Sequence, residues 1–150
     1  MRISISYPPL PSPKGTPLLT QNRQFQWFTN PTYIYPMVPS YAATLLARRG
    51  HEVLWDDGIA EELTPEAWLA RLRDWKPGLV AMESKTPVIK RHWDLVRTLK
   101  ERLPDPPLIA LFGDHVTALP EESMAKCPVD YVVTGGDYDF VLADLADALQ

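Results

Sequence analysis

Five short apolar segments, each followed by a turn and then by a segment with helical spacing, constrain the fold of this 150-residue chain more than any other feature. The predicted strands are residues 2–7, 53–55, 79–82, 108–112 and 130–133, and the predicted helices are residues 41–49, 64–75, 88–102, 120–125 and the segment that ends at Leu149. Strands that alternate with helices in this way form a parallel sheet, because right-handed crossovers place helices over both of its faces. We therefore predict an α/β, flavodoxin-like (Rossmann-like) fold with one doubly wound sheet of five parallel strands in the order 2-1-3-4-5.

The length of the chain is that of one domain, and we expect residues 1–150 to share a single core. A long loop, residues 8–38, separates the first strand from the first helix and is rich in proline and aromatic residues. Loops of this length in a compact domain are usually functional or disordered, and the aromatic content favours a loop that packs on something.

The charge and the cysteine content exclude several classes of protein. The net charge is −4, and the densest basic run, residues 85–102, is interrupted by Asp94 and Glu101, which predicts a solvated helix face and no nucleic-acid partner. No apolar stretch is long enough to span a membrane. A lone cysteine, Cys127, forms no internal disulfide, and no signal sequence opens the chain, so we expect a cytoplasmic protein.

Ligands of a doubly wound sheet bind beyond the carboxyl ends of its strands, near the switch point between strands one and three. Glycines there allow a ligand to approach the backbone, and hydroxyls offer neutral hydrogen bonds, which suits a large, flat, mostly uncharged ligand. Tight turns are the other interpretation of each single glycine. The candidate binding residues in these loops are Pro8, Pro9, Glu83, Ser84, Lys85, Thr86, Gly113, Asp114, His115, Val116, Thr117, Thr134, Gly135, Gly136 and Asp137.

Two of these loops, with their flanking residues, carry a family resemblance. Residues 111–122, Leu-Phe-Gly-Asp-His-Val-Thr-Ala-Leu-Pro-Glu-Glu, and residues 129–137, Val-Asp-Tyr-Val-Val-Thr-Gly-Gly-Asp, resemble the paired signature of the N-terminal cobalamin (B12)-binding domains of B12-dependent radical-SAM enzymes. The N-terminal half is similar too: a strand that ends in Pro-Pro, a variable loop, then a helix, Arg-Gly-His-Glu-Val and a strand. Where the family has an acidic Gly-Glu-Gly-Glu, this chain has Gly135, Gly136, Asp137 and Tyr138.

The resemblance implies that cobalamin is the ligand, with its corrin ring over the carboxyl edge of the sheet and its nucleotide tail among the strand-end loops. The candidate residues would then contact the cofactor. Another group of cobalamin proteins has an Asp-x-His-x-x-Gly motif after the first strand, and this chain has none there. His115 follows strand four instead, so we expect base-off cobalamin without a histidine ligand to the cobalt, although neutral imidazole is a competent metal ligand.

The resemblance also implies a second domain. An iron-sulfur cluster that activates S-adenosylmethionine needs three cysteines close in sequence, and this chain has one. We therefore expect a catalytic radical-SAM domain C-terminal to residue 150, with which this domain would pair, and an isolated chain that is inactive. Methyl transfer and related radical reactions such as cyclisation are both compatible with the resemblance.

Three other functions are alternatives to cobalamin binding for a fold of this kind. A phosphoacceptor receiver domain needs acidic residues after strand one and a lysine after strand five, and this chain has Pro8-Pro9 and Thr134-Gly135 there. A flavin- or nucleotide-binding flavodoxin-like domain prefers a phosphate-cradling loop after strand one, where no Gly-x-Gly-x-x-Gly occurs. A protein-interaction module with a degenerate cofactor site is the third alternative.

The remaining polar candidates are given structural roles. We predict that His51 lies in a turn or at the surface, and that His92 lies on the charged third helix without a functional role. Asp56 and Asp57 follow the second predicted strand, where turn formation or capping is more common than acid–base chemistry.

Overall fold

A computed structural model describes residues 1–19 and 25–150, and parallel strands form its centre. The strands, in chain order, are β1 (Arg2–Tyr7), β2 (Thr16–Leu18), β3 (Gln26–Phe28), β4 (Glu52–Asp57), β5 (Leu79–Glu83), β6 (Leu108–Phe112) and β7 (Tyr131–Val133). Five of them form a parallel sheet in the order β4-β1-β5-β6-β7, which is 2-1-3-4-5 when these five are numbered along the chain. The predicted flavodoxin-like α/β fold is confirmed.

Helices cover both faces of this sheet. They are α1 (Met37–Arg48), α2 (Pro65–Trp75), α3 (Ile89–Arg102), α4 (Asp114–Ala118), α5 (Pro120–Lys126) and α6 (Tyr138–Ala148), and a 3-10 turn (Thr86–Val88) precedes α3. Helices α1 and α6 pack against each other on one face, whereas α2 and α3 pack on the other.

Alternation along the central strand β5 shows why the sheet is buried on both sides. Leu79 and Ala81 belong to the core under α1 and α6, and Val80 and Met82 belong to the core under α2 and α3. All four side chains are fully buried. A continuous apolar run is therefore required here, as expected for a parallel strand that is covered on both faces.

The start of α2 follows the sequence prediction. Thr64 has an extended backbone, its hydroxyl accepts a hydrogen bond from the backbone N–H of Ala67 at 3.1 Å, and Pro65 occupies the first helical position. Proline is favoured there because its missing N–H would have no partner within the helix.

The long loop after β1 contains structure that the sequence did not predict. Strands β2 and β3 within it form an antiparallel hairpin, and α1 begins at Met37, so the helix overlaps the end of the predicted loop 8–38. Three-residue strands are too short to show a period of two, and Pro39 is tolerated because it lies in the first turn of α1. Residues 20–24 of this loop lie outside the described residues.

Several other predicted boundaries were wrong. Strand β4 pairs with β1 along its full length, so Asp56 and Asp57 lie within the strand, and Asp57 Oδ1 accepts the backbone N–H of Ala60 in the turn that follows. Residues 114–118, predicted as loop, form the short helix α4. Strand pairing and packing between distant segments decide such boundaries, and local sequence patterns do not contain that information.

The environments of two histidines also differ from the prediction. His51 is buried, and its ring lies 3.3 Å from the N-terminal nitrogen of Met1 and 2.9 Å from a carboxylate oxygen of Asp147. His92 is fully buried on the inward face of α3. Exposed charged residues of α3 such as Lys90 and Asp94 form the predicted solvated face, but this face does not extend to His92.

Within the described ranges, no helix is both long enough and apolar enough to cross a membrane.

Candidate functional site

The carboxyl ends of the central strands bring the predicted binding loops to one edge of the molecule. In register, Glu83 at the end of β5 lies beside Phe112 of β6, which in turn lies beside Val133 of β7. The loops that follow these residues contain nearly all of the candidate residues. Some of those residues are covered by the protein itself, and others are open.

The chain covers the β1 side of this edge with its own loop. Tyr7, Leu10, Leu19 and Val88 form a buried apolar cluster, against which Trp27 of the hairpin packs. Pro8 and Pro9 are buried with them, and the ring of Pro9 lies close to Gly58. The switch point between β1 and β5, where the sequence placed the ligand, is therefore filled largely by the chain's own side chains.

A line of buried polar side chains runs from this cluster toward the open edge. The Tyr7 hydroxyl donates to Glu83 Oε2 at 2.5 Å, Glu83 Oε1 lies 3.7 Å from the Lys85 ammonium, and Lys85 Nζ lies 2.6 Å from Asp114 Oδ2. Burial raises the pKa of the Glu83 carboxyl, while the Tyr7 hydroxyl and the Lys85 ammonium oppose that shift. Burial and the Glu83 carboxylate raise the pKa of Tyr7 well above its usual value.

Ser84 and His92 form a second buried pair beneath the same loop. Ser84 Oγ lies 2.6 Å from His92 Nδ1, and both residues are fully buried. Burial lowers the pKa of His92 to about 3, so the ring is neutral. The only sequence signal for this pair is the position of His92 beside Trp93 on the buried face of α3. We assign His92 a structural role, because it holds Ser84 in place.

The His115 ring is turned inward from α4. Its Nδ1 lies 3.2 Å from the Thr86 hydroxyl, and its Nε2 lies 3.0 Å from a carboxylate oxygen of Glu122, at an angle that does not make a hydrogen bond. The ring also meets the edge of the Trp93 ring, with 6.1 Å between the centroids. Both ring nitrogens thus face protein groups, and the neighbouring Val116 is part of the core.

Gly113 is required by packing within the protein. Its φ is +109°, and an added Cβ would lie 2.6 Å from the backbone oxygen of Ser84. A side chain there would be strained and would clash with the neighbouring loop. This glycine is buried, and it allows the loops after β5 and β6 to pack together.

The loop after β7 is the open part of the edge. Thr134, Gly135, Gly136 and Asp137 are exposed, and a Cβ added to either glycine would meet nothing within 4 Å. The backbone N–H of Gly135 donates to the Thr117 hydroxyl at 3.2 Å, which joins this loop to α4. The open edge therefore presents bare backbone beside hydroxyl groups.

Aromatic and apolar side chains outside the predicted candidate set lie at the same edge of the sheet. Tyr138 stacks on Phe112 with 4.5 Å between the ring centroids, and burial raises its pKa. Phe140 and Val141 in the first turn of α6, and Met37 in the first turn of α1, are exposed. Because crossover helices run antiparallel to the strands, the first turns of both helices lie at the carboxyl edge of the sheet.

The open edge offers groups that are suited to recognition. Among the described residues, no group of three or more His, Cys, Asp and Glu side chains is placed to hold a metal ion. The Ser84–His92 pair is too deeply buried to attack a substrate. Open glycines, hydroxyls and an apolar rim suit recognition of a large ligand or a protein surface.

Comparisons with known proteins agree with this architecture. No family model matches the chain. An uncharacterized methyltransferase of Pyrococcus horikoshii is 27% identical over 115 residues, which are 77% of this chain and 25% of that protein.

A solved structure, the radical S-adenosylmethionine methyltransferase TsrM of Kitasatospora setae with cobalamin and a [4Fe-4S] cluster bound, matches with a TM-score of 0.68 and 18% identity. The match covers 99% of this chain and 26% of TsrM, so the chain spans about a quarter of the length of both relatives. The resemblance seen in the sequence motifs is thus confirmed at the level of the fold, since this chain has the fold of a region of a radical S-adenosylmethionine methyltransferase.

Proposed function

We propose that residues 1–150 are the cobalamin-binding domain of a larger radical-SAM enzyme, one that carries out methyl transfer or a related radical reaction. The open backbone at Gly135 and Gly136 is the observation that supports this function best, because it lies at the edge where a sheet of this order binds ligands. The chain spans a quarter of TsrM, which leaves room in such an enzyme for a catalytic domain C-terminal to residue 150.

The residues of the open edge fit a large corrinoid. Cobalamin has a broad ring with amide-bearing side chains, and it requires close backbone approach, neutral hydrogen bonds and apolar contact. The edge offers all three, in the paired glycines, in the exposed hydroxyls of Thr86, Thr117 and Thr134, and in the apolar rim at Phe140.

The fifteen candidate residues then divide by exposure into two roles. Thr86, Asp114, Thr117 and Thr134 to Asp137 would contact the cofactor, because they are exposed at the edge. The buried residues Pro8, Pro9, Glu83, Ser84, Lys85, Gly113, His115 and Val116 would lie directly behind these exposed residues.

A base-off cofactor without a histidine ligand also fits this structure. His115 could reach cobalt only by turning away from Thr86 and Glu122 and by leaving its contact with Trp93. When bound, cobalamin would supply a carrier for a methyl group. The chain's own residues would bind and orient it, while the iron-sulfur cluster and S-adenosylmethionine would belong to the catalytic domain, because Cys127 is buried and has no cysteine partner.

A protein-interaction module is the second candidate. Tyr35, Met37, Tyr41, Phe140 and Val141 are exposed, with Met37 and Tyr41 on α1 and the last two on α6, and α1 and α6 contact each other. Exposed apolar patches of this kind mark interaction surfaces. In the proposed enzyme the same surface would face the radical-SAM domain, whereas in a degenerate module it would be the functional site itself.

A titration of the purified chain with hydroxocobalamin and with methylcobalamin distinguishes these candidates. We expect saturable binding, followed by the visible spectrum and by quenching of tryptophan fluorescence, with a base-off spectrum for the bound methylcobalamin. A spectrum in which the dimethylbenzimidazole stays ligated would contradict the proposed mode of binding. If a folded chain binds neither corrinoid, the proposed function is wrong and the interaction module is favoured.

A further inference from the structure

Lys85 combines deep burial with few hydrogen-bond partners. Its side chain is only 5% exposed, yet of the partners given by the described part of the chain, only Asp114 Oδ2 lies within hydrogen-bond distance of Nζ, at 2.6 Å. Glu83 Oε1 is farther away, at 3.7 Å. A lysine ammonium has three donors, so two of them lack an acceptor at hydrogen-bond distance among residues 1–19 and 25–150, in a place where water has little access.

The two carboxylates near Lys85 differ in their freedom to move. Glu83 is buried and receives the Tyr7 hydroxyl at 2.5 Å, so it is fixed from below. The Asp114 side chain is 63% exposed at the first position of α4. Because Asp114 can be hydrated when it leaves, its exchange for another anion at Lys85 costs little, whereas removing Glu83 would require rearrangement of the core.

Asp114 lies on the side of Lys85 that faces the open edge. Thr117, one turn later on α4, accepts the backbone N–H of Gly135, so α4 borders the exposed glycine loop. A ligand that lies over Gly135 and Gly136 would therefore have Asp114 at its margin and the Lys85 ammonium directly behind that carboxylate.

We propose that Lys85 binds the phosphodiester of the cofactor's nucleotide tail, which takes the place of the Asp114 carboxylate. This assignment rests on the proposed function, since it requires cobalamin at the edge. A phosphodiester carries one negative charge, as Asp114 does, so the exchange preserves the charge around Lys85 and Glu83. Its two unesterified oxygens also offer acceptors to donors that Asp114 leaves unused, and charge-assisted hydrogen bonds of this kind are among the stronger ones.

The test compares two corrinoids with each other. Cobinamide contains the corrin ring but lacks the phosphodiester and the rest of the nucleotide tail. In Lys85→Met, which keeps the length of the apolar stem, we expect the affinity for hydroxocobalamin to fall by about tenfold or more and that for cobinamide to remain unchanged. Lys90→Met is the matched control, because Lys90 is an exposed lysine on α3.

A second variant keeps Lys85 and removes its competitor. We expect Asp114→Asn to strengthen the binding of hydroxocobalamin severalfold without affecting cobinamide. Glu121→Gln removes one negative charge at an exposed residue in the first turn of α5, outside the set proposed to contact the cofactor, and should leave the difference between the two corrinoid affinities as in the unaltered chain. Circular dichroism and thermal unfolding show whether each variant is folded, and Asp114→Asn still decides the matter if Lys85→Met does not fold.

Phosphorus NMR provides a direct readout. The resonance of the bound cofactor should shift between the unaltered chain and Lys85→Met. If Lys85→Met and Asp114→Asn change the two corrinoid affinities equally, or change neither, the assignment of Lys85 is wrong although the proposed function stands. Inorganic phosphate without corrinoid is tested in the same way. If its resonance shifts on binding to the unaltered chain but not to Lys85→Met, Lys85 is a site for a free anion, and the proposal is overturned. If the unaltered chain binds neither corrinoid, the proposed function fails and this assignment with it.

Discussion

His92 Nδ1 lies 2.6 Å from Ser84 Oγ, and this fully buried contact ties α3 to the loop that follows β5. The histidine is neutral because burial lowers its pKa to about 3. In the unfolded chain its pKa would be about 6.5, so the unfolded state binds more protons between these two values. His92 therefore stabilises the protein fully above about pH 6.5, and this stability is lost progressively as the pH falls toward 3.

His92→Asn tests this dependence, because the amide can replace Nδ1 as a partner of Ser84 but does not titrate. From about pH 7 to about pH 5, we expect the variant to lose about 2 kcal/mol less of its free energy of unfolding than the unaltered protein loses. Urea denaturation at the two pH values measures the difference. Val96→Ala, at a buried apolar position of the same helix, should destabilise the protein with the original pH dependence. Parallel pH curves for His92→Asn and the unaltered protein would contradict the prediction.

Asp56 and Asp57 are adjacent, but they contribute differently to stability. Asp56 is fully buried and accepts hydrogen bonds from Ser6 Oγ and Trp68 Nε1, both at 2.6 Å, and from Arg71 at 2.9 Å. Burial raises the pKa of Asp56, while these partners oppose the shift. Removal of the carboxylate would leave the three donors without this acceptor.

We expect Asp56→Ala to lower the free energy of unfolding by about 3 kcal/mol and Asp57→Ala to lower it by about 1 kcal/mol. Asp57 is half-buried and accepts mainly from the backbone N–H of Ala60, at 3.0 Å. Guanidinium denaturation followed by tryptophan fluorescence measures both variants. If the two variants lose the same free energy of unfolding, the buried network around Asp56 contributes no more than the single backbone contact of Asp57.

The glycines after β7 can be tested against a glycine elsewhere in the fold. Gly135 and Gly50 have φ values of +94° and +90°, and an added Cβ would meet no atom within 4 Å at either position. Gly50 follows α1 and so lies at the opposite edge of the sheet. Replacement by alanine should destabilise the protein by a similar amount in both cases, about 1 kcal/mol, because the backbone strain is the same.

Only the change at Gly135 should weaken cobalamin binding, since only Gly135 lies at the candidate site. Gly136→Leu is the stronger perturbation of the candidate site, because it adds a larger side chain where the ligand would lie. The fold should tolerate it, since an added Cβ at Gly136 meets no atom within 4 Å and Gly136 does not have a positive φ. We expect Gly136→Leu to reduce the affinity for cobalamin by about tenfold or more, while the free energy of unfolding stays within about 0.5 kcal/mol of the original value. Unchanged affinity in Gly136→Leu would place the ligand elsewhere.

His115→Ala tests the expected ligation state of the cobalt. Because both ring nitrogens face Thr86 and Glu122, the variant should bind cobalamin with the same visible spectrum as the unaltered protein. Loss of the contact with Trp93 should lower the free energy of unfolding by about 1–2 kcal/mol, as measured by urea denaturation. A shift of the cobalt absorption bands would instead identify His115 as an axial ligand.

The positions of the strands and helices could be predicted from sequence because they depend on near neighbours along the chain. Residues 79–82 are continuously apolar, which requires a strand buried on both faces, and Thr64-Pro65 sets the start of α2 through one local hydrogen bond. Five such units and right-handed crossovers leave few strand orders. That strand order in turn predicts that Gly113, Thr134 and Gly135, which follow neighbouring strands, lie at the same edge of the sheet.

The environment of each polar residue at that edge could not be predicted in this way. Gly113 and Gly135 both follow strands in sequence, yet Gly113 is packed against Ser84, and Gly135 faces open space. The hairpin in the loop after β1 was missed as well, because strands of three residues leave no periodic pattern.

By itself, the sequence determined the α/β architecture, the order of the sheet and the edge that we propose as the ligand site, since periodicity and turn residues act over short stretches of chain. Only the tertiary structure decided that His92 and Lys85 are buried, that Asp56 belongs to a hydrogen-bond network, and that the β1 side of the edge is covered. The burial of a polar side chain depends on partners that are distant in sequence, such as Asp114 for Lys85, and these partners are brought close only when the sheet and its helices have packed.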